Sequence, residues 1–322
     1  MTRGPAGPVP DGILVIDKAE GPTSHDVVQQ ARRALGLRRI GHTGTLDPMA
    51  TGVLVLMLGG ATRLAPQMTG HVKVYQGQGR LGWATDTYDR TGKPAVAEPC
   101  RTLPDGGRLA VEAATFTGKL LQSPPAYSAR KVDGVPLYRH ARQGKKVEGK
   151  AVEVEIMSFT VEPEDHELFR FHARVSAGTY IRSLIHDLGQ RLGCGAHLES
   201  LRRVQAGPFT LEQAMPVRGL TPDSLNSDSF VPFHRIELDL PTVEVDPDEE
   251  ANLRQGQPAR VREGVAGASG PNDHAAAGQQ EPALVQVRNN KGQLVALACQ
   301  DPAIPGLFRP RRVFPPAPEA LT

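Results

Sequence analysis

Residues Gly41 to Pro48 read Gly-His-Thr-Gly-Thr-Leu-Asp-Pro, a run of small and turn-forming residues around one carboxylate, Asp47, with His42 five positions earlier. A carboxylate on a shaped loop can act as a nucleophile or a general base. Asp followed by Pro is also plain turn chemistry, because Asp starts turns and Pro fixes the next φ. Spacing alone leaves both readings open, the turn being the plainer one. Asp86 and Asp89 form a second carboxylate pair, which makes a glycosidase conceivable, since two carboxylates flanking a sugar are that reaction's usual equipment.

Other chemistries lack their spacing. Gly77 to Gly82 (Gly-Gln-Gly-Arg-Leu-Gly) fits the dinucleotide fingerprint letter for letter, but Trp83 to Asp89 carries no helical apolar stripe, and the fingerprint needs a helix opening at its third glycine. Glycines in a strand that another backbone approaches closely explain the segment better. Gly41, Gly44 and Gly52 are followed by no Gly-Lys-Ser/Thr, so no phosphate-binding loop is predicted. The histidines read as scattered, with neither a His-x-Glu nor a His-Glu-x-x-His spacing expected to form a site, and Cys100, Cys194 and Cys299 lie far apart with no Cys-x-x-Cys pair. Neither a zinc site nor a disulfide framework is expected.

The elements that must carry these residues follow from periodicity. Gly12 to Asp17 is an apolar run of strand length, followed by a turn at Lys18 to Pro22. A helix then starts in a capping-box spacing from Thr23 to Asp26, repeats Val27, Val28, Ala31, Ala34 and Leu35, and stops at Gly36. Thr51 to Leu58 is apolar throughout and suits a strand or a buried helix equally. His71 to Trp83 and Phe169 to Val175 read as strands, and Ile181, Leu184, Ile185, Leu188 and Leu192 form a helical stripe closed by Gly193. After Pro232 short strands are predicted at Thr242 to Val245, Ala259 to Val261, Leu284 to Arg288 and Leu294 to Cys299, the pattern of a separate small β domain.

The 322 residues carry 37 Lys plus Arg against 35 Asp plus Glu, a net charge of +2. Placement is less even. Lys119 to Lys150 holds eight basic and two acidic residues, enough to dock a polyanion, although a solvated face would use the same residues. No apolar stretch approaches the ~20 residues that span a bilayer, and Met1 to Pro10 lacks the apolar core of a signal peptide. A reduced, cytoplasmic setting is expected.

Five segments in order carry a family resemblance: Lys18 to Ser24, Gly41 to Leu54, Lys73-Val74-Tyr75 leading to Leu81-Gly82, Tyr127 to Arg142 and Gly178 to Gly189. Together they resemble the TruB family of bacterial tRNA pseudouridine-55 synthases over about Gly12 to Arg203, and the end of the chain resembles a PUA-type RNA-binding module. Ala19 departs from the family's usual Pro after Lys, and Arg262 to Pro282 is longer than the usual loop of the tail module.

The resemblance implies an α+β fold, the pseudouridine-synthase fold, with a central mixed sheet and catalytic cleft plus a small C-terminal β-rich PUA-like domain. It implies isomerisation of one uridine in the T-loop of tRNA by a monomer, without cofactor or metal. Asp47 matches the catalytic aspartate, attacking C1′ or abstracting a sugar proton, and Arg182 the arginine that pairs with it. Tyr75 matches the tyrosine that stacks on the flipped uracil, and His42 the residue that fills the vacated space in the T-loop. Tyr180 and Leu201 match pocket-lining positions, and Lys18 and Asp89 complete the substrate-binding set. Lys131, Arg142, Lys145 and Lys146 become contacts to the RNA backbone. The expected domains are a disordered N-terminus over 1–10, a catalytic domain over 11–235, a PUA-like domain over 239–314 with a mobile loop at 262–282, and a tail over 315–322. The competing expectation is a non-catalytic tRNA-binding or tRNA-folding chaperone in which the Asp47 loop is only structural.

Overall fold

The apolar runs of β1 (Gly12–Lys18) and β3 (Thr51–Leu58) each divide their side chains between two cores. Leu14, Ile16, Leu54, Leu56 and Leu58 enter one core, and Ile13, Val15, Val53, Val55 and Met57 the other. A strand covered on both faces needs no polar alternation, which is why Thr51–Leu58, equally compatible with a helix by periodicity, is a strand. The structure, a computed structural model, describes residues 10–96, 98–145, 147, 149–260 and 283–316. The expected disorder over 1–9, the loop at 262–282, the tail from 317 onward, Lys146 and the side chain of Arg142 lie outside the described residues.

β1 is followed by α1 (Ser24–Leu35), whose Thr23–Asp26 capping box forms as expected and whose end at Gly36 takes φ 64°. Next come β2 (Ile40–His42), β3, the short α2 (Ala65–Thr69) and β4 (Lys73–Leu81). α3 (Gly106–Ala114) leads to β5 (Gly118–Gln122). The basic segment beyond it contains a small hairpin, β6 (Lys131–Val132) and β7 (Val135–Pro136), and α4 (Leu137–Arg142). β8 (Val152–Pro163), β9 (Leu168–Val175), α5 (Ile181–Leu192) and β10 (Ala196–Ala206) complete the larger part of the molecule. The short β11 (Phe209–Thr210), β12 (Met215–Pro216) and β13 (Phe230–Pro232) pair along its edges.

Among the described residues these strands form one eleven-stranded sheet in the order β12-β1-β3-β10-β4-β9-β8-β5, with β2, β11 and β13 alongside β3, β10 and β1. It is mixed: β1–β12 and β3–β10 are parallel and the other pairs antiparallel. The Gly77 to Gly82 fingerprint lies in β4 and the loop after it. A Cβ on Gly77 would stand 2.2 Å from the Ser200 carbonyl oxygen, and one on Gly79 2.3 Å from the Phe169 ring, so these glycines serve close packing of strands and rings.

The C-terminal half is a second sheet, of five strands: β14 (Thr242–Val245), β15 (Ala259–Arg260), β16 (Leu284–Asn289), β17 (Leu294–Gln300) and β18 (Leu307–Val313), with α6 (Pro247–Arg254) packed against it. It has a core of its own, and Leu294, Leu297 and Phe314 also share the second core of the large sheet with Ile236 and Leu238. The two sheets therefore meet across an apolar junction.

Candidate active site

The site is assembled where the end of β1, the start of β3, the middle of β10 and the first turn of α5 converge. The loop carrying Asp47 is fixed from beneath by buried polar groups. Ser24, at the start of α1, donates its hydroxyl to the Leu46 carbonyl at 3.0 Å and accepts the Leu46 amide at 2.8 Å. Lys18, fully buried at the end of β1, donates Nζ to the Pro48 and Ala50 carbonyls at 3.2 and 2.7 Å. Arg203, also buried, donates Nη2 to Gly44 and Nε to Val53, both at the carbonyl. Gly52 must be glycine: its φ is +101° and a Cβ would lie 2.2 Å from the Arg203 carbonyl oxygen.

Asp47 points out of this cradle toward Arg182, in the first turn of α5. Nε of Arg182 lies 2.8 Å from Oδ2, and Nη2 donates to Oδ1 at 3.2 Å. The guanidinium is itself held: Nη1 donates to the Thr87 carbonyl and Nη2 to the Tyr127 carbonyl, both at 2.9 Å, and Asp89 Oδ2 lies 3.6 Å from Nη1. The side chain of Arg182 is 4% exposed and that of Asp47 33%. A buried fork therefore aims a carboxylate whose own oxygens remain open to a ligand.

The Thr85–Gly92 loop that supplies Thr87 and Asp89 is rigid for local reasons. Asp89 accepts from the hydroxyls of Thr87 and Thr91 and from the Thr91 amide. Between Thr87 and Asp89, Tyr88 holds the left-handed φ of 64°, unusual without glycine, with its ring stacked on His186 of α5 at 3.7 Å between centroids. Asp86, the other half of the sequence pair, accepts the Lys93 amide instead. The two carboxylates thus have different partners, Asp89 the threonines and Arg182, Asp86 the backbone at Lys93.

Tyr75 on β4 and Leu201 on β10, each 7% exposed, share one apolar cluster with Met49 and Ile181. Leu201 also lines a neighbouring cavity of about 550 Å³ with Met49, Thr51, Gln76, Gly77 and Arg202, whereas Tyr75, Asp47, Tyr180 and Arg182 are not among its lining residues. Tyr180 caps α5 and is half-buried. His42 stands apart from the carboxylate pair at the end of β2; its Nδ1 is buried without a partner, and burial, with Arg203 and His25 nearby, keeps its pKa below the usual histidine value. Burial also lowers the Lys18 ammonium to about 8, partly offset by Asp47 and Glu20. Lys18 spends its donors on backbone carbonyls, so the structure gives it a positioning place under the loop. Lys131 and Lys145 are exposed. One His-x-Glu spacing does occur: His197 Nε2 lies 3.6 Å from Glu199, yet no group of three metal-ligating side chains forms among the described residues.

Ser24, Arg203, Thr87 and Tyr127 are contributors that the sequence left unmarked. Two act through their carbonyls, which any residue type would offer. Arg203 stands in its strand directly after Arg202, so nothing local distinguishes it.

Residues 32–181 match the family model described as TruB family pseudouridylate synthase, N-terminal domain, and residues 182–225 match the tRNA pseudouridylate synthase B C-terminal domain. The chain belongs to the TruB family. Among curated TruB relatives, the tRNA pseudouridine synthase B of Solibacter usitatus is 44% identical over 77% of this chain and 85% of its own. That of Geobacillus thermodenitrificans is 35% identical over 94% of this chain and 99% of its own. Among solved structures, an H/ACA RNP bound to a substrate RNA containing 2′-deoxyuridine is similar at a TM-score of 0.69 and 25% identity, covering 95% of this chain and 85% of that one. The α+β fold with a mixed central sheet and a β-rich C-terminal module is thus the pseudouridine-synthase fold, and the protein is a pseudouridylate synthase, an isomerase.

Proposed function

We propose that this TruB protein converts uridine-55 in the T-loop of tRNA to pseudouridine, with Asp47 as the group that acts on the sugar. The observation that carries the reading is the Asp47–Arg182 pair: the single carboxylate of the Gly41 to Leu54 segment, one-third exposed, aimed by a buried guanidinium. The names of the relatives supply tRNA as the substrate class.

The uridine leaves its stack and enters the cleft, where the Tyr75 ring takes over the lost stacking. The N1–C1′ bond breaks, its electron pair leaving with the uracil. Asp47 either forms a bond to C1′ or takes the proton from C2′ to give a glycal. The uracil turns so that C5 faces C1′, and the C5–C1′ bond forms as the Asp47–C1′ bond breaks or, on the glycal route, as Asp47 returns the proton to C2′; the C5 proton passes to a base and N1 gains a proton. Atoms balance, as an isomerisation requires. Leu201 and Tyr180 border the detached base, the Tyr75 hydroxyl serves the C5 proton, and His42 occupies the space the nucleotide vacates. The exposed Lys131 and Lys145, with Arg142 and Lys146, hold backbone phosphates.

A T stem-loop transcript carrying 5-tritiated uridine tests the reading, because only C5 substitution sends tritium to water. Release in proportion to pseudouridine, abolished by Asp47→Asn, is the expected result. Tight RNA binding without tritium release would show a binding or chaperone role, and free uracil as product would show a glycosidase.

A further inference from the structure

Gln122 is the last residue of β5, and the chain leaves the sheet there for the basic segment, to return at Val152, its register partner on β8. Its side chain does not face the solvent. At 1% exposure it lies against the backbone of Tyr180, donating Nε2 to the Tyr180 carbonyl at 3.1 Å and accepting the Tyr180 amide on Oε1 at 2.7 Å. A neutral primary amide is the side chain that offers one donor and one acceptor at this reach, so Gln122 pairs with that peptide as a neighbouring strand would.

The place of this pairing gives it meaning. Tyr180 is the N-cap of α5, and no side chain of its own supplies a cap hydrogen bond. Arg182 follows two residues later. Two more bonds join the same short stretches: Ser183 donates its hydroxyl to the Ser123 carbonyl at 3.1 Å, and Arg182 donates to the Tyr127 carbonyl at 2.9 Å. The root of the basic segment is therefore stitched to the helix turn that aims Asp47, with Gln122 supplying two of the four bonds. The Arg182 contacts to Asp47 at 2.8 and 3.2 Å tolerate only small shifts of that turn before the fork fails.

We propose that Gln122 is a positioning residue for the isomerisation, fixing the Tyr180 peptide so that Arg182 meets Asp47, and tying the seating of the basic segment to the catalytic pair. The inference rests on the function proposed above. It assigns Gln122 no contact with the substrate.

Gln122→Met keeps length and burial while removing both hydrogen bonds; Gln122→Asn keeps the amide but shortens its reach by one methylene. Both full-length variants are assayed beside the wild type, at a temperature where circular dichroism shows each folded, for single-turnover tritium release with enzyme in excess and for affinity to the stem-loop by filter binding. The expected result is a rate at least tenfold below wild type with the dissociation constant changed less than threefold. A purely structural role would lower the unfolding midpoint and leave the rate of the folded protein unchanged, so a Met variant within twofold of the wild-type rate overturns the proposal. A loss carried wholly in affinity does so too, as does failure of both variants to fold, which would make Gln122 a folding residue. Should the wild type itself release no tritium, the proposed function fails and this inference falls with it; an active wild type with an equally active variant refutes the inference alone.

Discussion

Arg182→Lys isolates geometry from charge at the centre of the site. Lysine keeps the positive charge beside Asp47 and Asp89, so the long-range attraction is nearly conserved. What it loses is the fork: one ammonium nitrogen cannot reach both Asp47 oxygens and the Thr87 and Tyr127 carbonyls, contacts that the guanidinium makes from three separate nitrogens at 2.8 to 3.2 Å. At least one carbonyl is then left without its charged donor in a place where the side chain is 4% exposed, which costs roughly 2–3 kcal/mol of folding stability. The kinetic cost is larger in consequence. A carboxylate free to swing by about 1 Å loses on the order of 100-fold in rate, and a further few-fold follows from the missing second contact, giving about 3–4 kcal/mol in all. RNA affinity is expected to stay within about threefold, because the guanidinium is spent on protein groups. Single-turnover tritium release, filter binding and urea midpoints measured on the same preparations separate these three quantities. A lysine variant within fivefold of the wild-type rate would show that charge alone suffices and would refute the orientation argument, and a rate loss matched by an equal affinity loss would move Arg182 from aiming Asp47 to binding RNA.

Asp47→Asn keeps the size and the turn preference of the residue, so fold and stem-loop affinity should persist while single-turnover release falls by more than about 1000-fold, ~4 kcal/mol; a fall under tenfold returns the loop to a plain turn. Tyr75→Phe retains the ring, and slower tritium release at unchanged affinity would place the hydroxyl in C5 proton removal, whereas wild-type rates would leave stacking as its contribution. Gly21 and Gly52 have nearly the same φ, +107° and +101°, but a Cβ meets nothing within 4 Å at Gly21 and backbone at 2.2 Å at Gly52. Gly52→Ala should therefore cost about 2 kcal/mol more than Gly21→Ala in chemical unfolding, and equal costs would contradict the close approach of β3 and β10. Burial, reinforced by Arg203, lowers the Lys73 ammonium from 10.5 to about 8, so between those pH values the unfolded chain binds more protons than the folded one and stability rises with pH. The gain is at most ~3 kcal/mol; the wild type should gain on Lys73→Met across this window in urea midpoints, and a constant offset would rule the buried ammonium out.

What could be read from the chain, and what could not, divides along physical lines. The capping box at Thr23 and Asp26, the αL stops at Gly36 and Gly193 and the stripe of α5 are local signals, and each forms where the residues place it. Asp47 stood out as the one carboxylate of a turn-rich loop, but Arg182 and its pairing with Asp47 came only from the family resemblance, since nothing local joins residues 135 positions apart. The buried cations were invisible. Lys18 and Arg203 belong to residue types that usually reach water, and only the backbone carbonyls of a loop distant in sequence make their burial tolerable. β18 escaped for a related reason: Leu307–Val313 holds Arg309, Pro310, Arg311 and Arg312, a composition that argues for a loop, yet it pairs with β17 and β15 inside its sheet. There the pairing partners, not the residues' own preference, decide the conformation.

The same contacts explain why the Asp47 carboxylate sits on a loop at all. A strand residue would be confined to one face and one direction, whereas the Asp47 turn projects its carboxylate toward Arg182 and needs outside support to stay there. That support comes from four separate places in the chain, Lys18, Ser24, Arg182 and Arg203, each contributing buried or nearly buried polar groups. Buried polar groups are costly unless satisfied, so every one of these bonds resists exchange for a different loop geometry. Removing a single support leaves the others with unmatched partners, and the loop cannot relax to a new low-energy shape without breaking several bonds at once. The carboxylate is thereby oriented before any RNA arrives, and binding energy from the polyanion need not be spent on arranging it.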